Sequence, residues 1–316
     1  PSMSYLPRTA VPGPGGATTG IALVMAAAAL WATVGVAVQV TPAAAGLPDA
    51  VLAAARTGIA GPTLLVVWRI ALKGRPADLR RLALRPLFVF ALASAVFQVC
   101  LFRCFEQLGV TVAVFLTVCL PPVLGTAWTA LRGTGGLSRD AALALGLALA
   151  GVALVSLAGQ GPDRDALSLA GLMNGLFASV AFVVMSLSAA GMARRSPAIL
   201  VAGAGLSLSS VLLGALVLLA GMGPGQAGNG GPVTAGTLGL ILYLGLLPTA
   251  LAYLCYCAGM AKCRTPAVGL VASMIEPVLA ALLALILMGE RVTPATAAGC
   301  ALLMAAMLLL WRGERA

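Results

Sequence analysis

The chain has 316 residues, of which 61% are hydrophobic and only 9% charged, and its formal net charge is +10. Soluble domains carry about 25% charged residues because water must solvate their surface. This composition therefore excludes a soluble enzyme, a secreted domain and a disordered protein, and it predicts an all-α polytopic membrane protein.

Ten apolar segments are long enough to cross a bilayer as helices, since a crossing needs about 20 mainly apolar residues. In chain order they are residues 19–40, 50–72, 86–107, 109–131, 140–159, 166–190, 197–221, 235–259, 265–288 and 293–311. Residues 1–18 and 312–316 are predicted to be terminal tails. The alternative for the first segment is a cleaved signal peptide, but its apolar run is longer than the roughly 7–15 residues typical of a signal core.

The basic residues predict the orientation, because cytoplasmic connections of membrane proteins are enriched in Lys and Arg. With the N-terminus inside, 14 of the 19 Lys and Arg residues lie in cytoplasmic segments. The outer connections then hold Arg103, Arg164 and Arg291. We therefore predict that both termini are cytoplasmic. The positive charge does not indicate nucleic-acid binding, since the basic residues flank apolar spans.

The second half of the chain repeats the first. A shift of 155 residues places Pro122 on Pro277, and the apolar spans that follow each proline run in step. We predict two five-helix repeats, residues 19–159 and 166–311, joined by a linker at 160–165. Because five is odd, the second repeat crosses the membrane with the opposite polarity. Such inverted repeats are typical of secondary transporters.

The residue types present exclude much chemistry. The chain has no His, so Ser–His and Cys–His nucleophile pairs and HExxH zinc sites are impossible. All five Asp lie in polar connections, and we interpret the seven Cys as small buried hydrophobic residues. We expect no enzyme activity, no catalytic residues, no metal and no cofactor. A Ser–Lys or Cys-based intramembrane enzyme is the remaining enzymatic alternative.

Glu276 is the most informative polar residue, because it lies at the middle of the ninth predicted span. Acids inside a membrane are costly and usually face a cavity or a partner. Pro277 has no N–H, so we expect the carbonyl of Ser273 to lose its helical partner. A carboxylate, the Ser273 hydroxyl and a free carbonyl together suit an ammonium group or a proton. The alternative is that Glu276 anchors neighbouring helices.

Further candidate residues lie at helical spacing in other spans. Pro121 and Pro122 are predicted to kink span 4 at the place equivalent to Pro277, and paired interruptions of this kind point to a transport site. Arg56 lies within span 2, where it either binds a substrate carboxylate or has a structural role. The other predicted substrate-binding residues are Gln98, Phe102, Asn174, Phe177 and Tyr253. Ordinary bonding between helices is the alternative for each of them.

Three segments carry a resemblance to a known family. They are Trp31-Ala32-Thr33, Ala55-Arg56-Thr57-Gly58 and the run EPVLAALLALILMGERVTP from Glu276 to Pro294. Together they resemble the EamA-type branch of the drug/metabolite transporter superfamily, over roughly residues 19 to 311. The first half departs from the pattern, since Pro121 stands where Glu276 has its counterpart. The resemblance implies ten helices and ATP-independent export or exchange of small metabolites, and it adds Trp31 and Thr33 to the candidate binding residues.

The sequence therefore predicts a secondary transporter that exports or exchanges amino acids, aromatic ones among them, by alternating access. A carrier of cationic drugs is the main alternative, followed by a channel. The expected partners are a small-molecule substrate, the lipid bilayer and, if transport is coupled, protons. Neither nucleic acid nor an obligatory protein partner is expected. We expect a multi-pass protein of a bacterial cytoplasmic (inner) membrane.

Overall fold

The structure is a computed structural model that describes residues 14–39, 49–131, 139–158, 169–219, 234–288 and 294–315. These residues are almost entirely helical and contain no strand. The helices are α1 (Pro14–Gln39), α2 (Asp49–Ile70), α3 (Pro76–Arg80), α4 (Leu84–Leu131), α5 (Arg139–Ala158), α6 (Leu169–Ala193), α7 (Ala198–Leu219), α8 (Ala235–Gly245), α9 (Ala252–Lys262), α10 (Pro266–Ala272), α11 (Glu276–Met288) and α12 (Pro294–Arg315). The predicted linker 160–165 lies outside the described residues.

Both ends of the helical region differ from the predicted boundaries. Helix α1 begins at Pro14, within the predicted tail, and proline is favoured in the first turn because the missing N–H has no helical partner there. Helix α12 continues to Arg315, beyond the predicted end at residue 311. Basic residues such as Arg312 and Arg315 stabilise a helix C-terminus, because they oppose the negative end of its dipole.

Helix α4 is the largest departure from the predicted elements. The sequence predicts separate spans at 86–107 and 109–131, whereas α4 is one helix of 48 residues. The physical reason lies at the predicted break, which holds Gly109 but no proline. One glycine costs a helix about 1 kcal/mol relative to alanine, which is too little to end it. At 1.5 Å per residue α4 has a length of about 72 Å, which exceeds the roughly 30 Å hydrocarbon core of a bilayer.

The described residues contain six helical segments that are long and apolar enough to cross a membrane. They are Gly16–Val34, Ala50–Ile70, Leu84–Cys104, Leu169–Ala193, Ala198–Leu219 and Ala235–Lys262. Four shorter apolar segments lie within the remaining predicted spans: Leu116–Gly125, Ala142–Gly151, Pro266–Ala280 and Ala297–Ala306. The molecule is therefore a multi-pass helical membrane protein. The count of ten crossings and the cytoplasmic termini stay predictions.

A π-helical turn, Leu246–Leu251, separates α8 from α9. Its cause is Pro248, which has no N–H to donate to the carbonyl of Leu244 four residues earlier. The hydroxyl of Thr249 donates to that carbonyl instead, at 2.6 Å. The wide turn therefore leaves the carbonyl of Leu244 paired inside the membrane, where water cannot solvate it.

A 3₁₀ turn, Ser273–Ile275, separates α10 from α11 immediately before Glu276 and Pro277. The N–H of Glu276 donates to the carbonyl of Ser273, three residues back, in place of the bond that Pro277 cannot make. The prediction of a free carbonyl at Ser273 is therefore wrong. The tighter turn pairs it, and this leaves the helix interrupted at the glutamate.

The two halves of the chain pack against each other in matching pairs. The second helices of the two predicted repeats, α2 and α7, are in contact, and so are the last helices, α5 and α12. The first helix, α1, packs against α9 and α11, while its counterpart α6 packs along α4, which covers the equivalent spans. Each of these contacts made by a helix of one half therefore has a counterpart made by the equivalent helix of the other half. This pattern supports a two-repeat architecture, whereas inversion of the repeats stays a prediction.

Helices α1 and α9 approach closely through Gly20 and Gly259. A Cβ atom on Gly259 would lie 2.7 Å from the carbonyl oxygen of Gly20 and 2.9 Å from the backbone nitrogen of Val24. Backbone atoms cannot yield as the end of a side chain can. The pair of glycines therefore sets how near α9 can bring its side chains to those of α1.

We expect Gly259→Ala to destabilise the protein by about 1–3 kcal/mol, because the added methyl group must push two helices apart. Thermal unfolding of the detergent-purified protein measures the change. Gly239→Ala is the matched control, since a Cβ there meets no atom within 4 Å. Equal stability of the two variants would contradict the close approach of α1 and α9.

Candidate functional site

Five aromatic side chains from four helices meet at the interface of the two halves. The ring of Trp31 on α1 lies 5.6 Å from that of Tyr253 and 5.2 Å from that of Tyr256, both on α9. It also meets Phe182 of α6 edge-on, at 6.1 Å. Phe97 of α4 lies 5.3 Å from Phe182. We call these five residues the aromatic cluster.

Hydrogen bonds hold the rings of this region in place. The hydroxyl of Tyr256 is 2.6 Å from the hydroxyl of Ser186, which itself lies 2.6 Å from the carbonyl oxygen of Phe182. On the other side, the hydroxyl of Tyr243 donates to Thr33 at 2.7 Å. These bonds give the polar tips of two tyrosines a partner inside an apolar environment. The bonds therefore fix the orientation of the Tyr256 ring within the cluster and hold Tyr243 against α1.

Arg56 on α2 lies beside the aromatic cluster. Its Nη2 donates to the side-chain oxygen of Gln98, and its guanidinium carbon lies 5.9 Å above the ring of Phe102. It also interacts electrostatically with Tyr253. An arginine without partners at the centre of a membrane helix would cost about 2.5–3.5 kcal/mol. The amide and the ring therefore offset part of this cost and fix the direction of the guanidinium group.

Several polar atoms around Arg56 are buried without a hydrogen-bond partner. They are Nε of Arg56, Nε2 of Gln98 and the hydroxyl of Ser94. The side chain of Ser94 lies beside that of Tyr253. Buried polar groups are almost always paired in folded proteins. A concentration of unpaired groups at one place is therefore typical of a site where another molecule binds.

Glu276 approaches the same region from the interrupted helix. Its side chain is half-buried, and it interacts electrostatically with Tyr253. Among the described residues it forms neither a hydrogen bond through its carboxylate nor an ion pair. Ser273 is buried and donates its hydroxyl to the carbonyl of Leu270 at 2.8 Å. Tyr253 thus has a cationic side chain and an acidic one for neighbours.

The remaining predicted site residues lie elsewhere. The side chain of Asn174 donates to that of Gln107 at 2.9 Å, and Phe177 on the same helix is 53% exposed. Neither is in contact with the aromatic cluster. Pro121 and Pro122 are buried within α4, which continues through both. The structure therefore brings together Trp31 and Tyr253, and groups Arg56, Gln98 and Phe102 beside them.

Sequence reasoning missed some residues of this region. Phe97, Phe182 and Tyr256 are cluster members that were not predicted to bind substrate. Tyr256 follows Tyr253 by three residues, so helical spacing places both on one face and could have found it. Pro248 was a visible signal for an interruption of span 8. No local signal distinguishes Phe97 or Phe182 from other apolar residues in their helices.

The arrangement is suited to binding a small molecule. Within the described portions of the chain, no three His, Cys, Asp or Glu side chains approach closely enough to hold a metal ion. Aromatic faces, an arginine and a carboxylate offer contacts for a small molecule that has both apolar and charged parts.

Comparisons with known proteins agree with this description. A sequence model of the EamA-like transporter family matches residues 18–157 and again residues 168–312. The chain is 27% identical, over 295 residues, to a protein of Bacillus subtilis (strain 168) named "Uncharacterized transporter YwfM", and the match covers 92% of this chain and 93% of that one. It also superposes on a solved crystal structure with a TM-score of 0.77, covering 92% of this chain and 97% of the other. At 18% identity this last likeness shows the fold alone.

Proposed function

The chain belongs to the EamA-like transporter family, and we propose that it is a secondary carrier that exports or exchanges amino acids, aromatic ones included, across the cytoplasmic membrane of a bacterium. As a member of this family it is a multi-pass transporter of small molecules, and we propose no enzymatic activity for it. The proposal adds the substrate class, the membrane and the mechanism.

One observation carries the proposal: Tyr253 of the aromatic cluster has both Arg56 and Glu276 as charged neighbours. An amino acid has a carboxylate, an ammonium group and a side chain that differs between substrates. Arg56 suits the first group, Glu276 suits the second, and the rings suit an apolar or aromatic side chain. A single amino acid can therefore use all three parts of the region.

The mechanism we propose is alternating access, in which one half of the protein rocks against the other. The aromatic cluster draws Trp31 and Phe97 from the first half and Phe182 and both tyrosines from the second. A site built from both halves changes its exposure when the halves move. The interrupted segments around Glu276 and Pro248 support this mechanism, since transporters commonly bind their substrates at discontinuous helices.

A carrier of cationic drugs is the second candidate, and one observation favours it. Glu276 is a carboxylate without an ion pair, close to Tyr253, and such a group binds an organic cation beside an aromatic ring. A cationic drug would leave Arg56 unused and near a like charge. We therefore prefer amino acids.

Counterflow in proteoliposomes tests the proposal. Vesicles are loaded with one unlabelled amino acid and diluted into the same labelled compound, for each of the twenty common amino acids and for two quaternary ammonium dyes. We expect transient accumulation of label for at least one amino acid and for neither dye. A channel would give equilibration without overshoot, and accumulation of the dyes alone would favour the second candidate.

A further inference from the structure

We propose that Arg56, Gln98 and Ser94 form a binding site for the carboxylate group of the transported molecule. The inference rests on the proposed carrier function and adds to it a chemical requirement: a substrate must present an anionic, hydrogen-bond-accepting group at this point. Three properties of these side chains support such a site: their unpaired atoms, their charge and their fixed orientation.

The first property is an excess of donors. Nε of Arg56 and Nε2 of Gln98 carry only N–H groups, and both are buried without a partner, as is the hydroxyl of Ser94. Gln98 and Ser94 are both fully buried. A buried donor without an acceptor costs about 1–3 kcal/mol. A ligand that supplies acceptors therefore recovers these costs, whereas a second donor would add to them.

The second property is an uncompensated positive charge. Arg56 forms no ion pair with any described residue. The titratable side chain that interacts with Arg56 is Tyr253. Glu276 in turn interacts with Tyr253. A cation in a membrane protein is normally paired with an anion or with several carbonyls. An incoming carboxylate completes this site, and a neutral amide would not.

The third property is orientation. Ser94, Gln98 and Phe102 are spaced four residues apart along α4, so they lie in one stripe facing Arg56. The oxygen of Gln98 accepts from Nη2 of Arg56, so the amide nitrogen of Gln98 keeps its N–H groups for another acceptor. The ring of Phe102 lies below the guanidinium group, 5.9 Å from its carbon. The donors are thus held before a ligand arrives, which lowers the entropy cost of binding.

A matched series of ligands tests the inference. L-phenylalanine, L-tryptophan, L-leucine and L-methionine are each added to the detergent-purified full chain, as the free acid and as the primary amide, and the thermal stabilisation is titrated. The amide keeps the side chain and, when the titration is run at about pH 6, the ammonium group. It replaces one carboxylate oxygen, and with it the negative charge, by an NH₂ donor. We expect at least one acid to bind, with its amide weaker by about 10- to 100-fold, as for the loss of a charged hydrogen-bond acceptor.

Two variants show whether these residues cause the preference. Gln98→Glu places a carboxylate beside Arg56, where it pairs with the guanidinium group in place of the carboxylate of the ligand. We therefore expect the acid and its amide to bind with about equal affinity. The new ion pair keeps the arginine partnered, which favours folding.

Ser94→Ala removes one donor and should reduce the preference for the acid over its amide by roughly 3- to 10-fold. Ser179→Ala is the matched control, because that buried hydroxyl already bonds to two carbonyls, and it should leave the preference unchanged.

The failure of this inference differs from the failure of the proposed function. Equal binding of acid and amide by the natural protein would overturn the carboxylate site while leaving the carrier function intact. An unchanged preference in Gln98→Glu would also overturn it. If none of the eight compounds binds and no amino acid shows counterflow, both the site and the proposed amino-acid function are wrong.

Discussion

Glu276→Gln is expected to reduce uptake driven by a proton gradient by at least about tenfold, while exchange of substrate continues with a raised KM, because the amide oxygen of glutamine can still accept from the ammonium group of the substrate. Glutamine has nearly the same shape but cannot take up and release a proton. Among the titratable side chains in the described segments, Glu276 is the carboxyl that lies at an interrupted helix without an ion pair. Two assays on the same proteoliposomes separate the effects: uptake under an imposed pH gradient, and counterflow without one.

Asp78→Asn is the control for this variant. Asp78 is a partly exposed acid in α3, which lies between the predicted spans 2 and 3, and its side chain accepts from the backbone N–H of Arg75 at 3.3 Å. We expect both activities to persist there. Driven uptake that survives in Glu276→Gln would refute proton coupling through this residue. Loss of both activities in a folded protein would show that substrate binding requires the charge of Glu276, and it would remove the support for proton coupling through this residue.

Trp31→Ala is expected to raise the KM for exchange by at least about tenfold. The indole touches three other rings, and each aromatic pair contributes about 0.5–1.5 kcal/mol beyond simple burial. Removing the ring leaves a gap between α1 and α9 where the substrate side chain would bind. Because Trp31 is only half-buried, the loss of stability should remain below the roughly 3–5 kcal/mol seen for fully buried rings.

Two comparisons sharpen this experiment. Trp31→Phe keeps an aromatic edge in the cluster and should give an intermediate KM. Trp128→Ala removes the same side chain from a place where it is 44% exposed, and there we expect little change. If both Trp→Ala variants raise the KM equally, the effect is not specific to the aromatic cluster.

The helices could be predicted well because a membrane helix depends mainly on the residues of its own segment. Each one satisfies its own backbone hydrogen bonds, so a run of about 20 apolar residues is sufficient to indicate it. The boundary inside α4 failed for a related reason, since Gly109 alone does not oblige a helix to end. At Pro277 the lost hydrogen bond was predictable from the residue type. Its replacement by a 3₁₀ bond to Ser273 depends on the geometry of the whole turn.

The site was predictable only in part. Helical spacing placed Gln98 and Phe102 on one face of α4, and the structure has Arg56 against that face. Spacing also placed Asn174 and Phe177 together, yet Phe177 is exposed. In a soluble protein an apolar face would point to the core, but a membrane provides an apolar environment on both sides of a helix. The direction of Phe177 therefore could not be derived from its hydrophobicity.

The composition of the aromatic cluster has a kinetic consequence. If the halves separate on one side, the contacts of Trp31 with Phe182, Tyr253 and Tyr256 must break. In the empty carrier no other contacts replace them. A bound substrate replaces the lost ring contacts and lowers the barrier between the two orientations. The loaded protein should then reorient faster than the empty one, so that exchange of two substrate molecules outpaces net export. The same five rings would thus make exchange faster than unidirectional release.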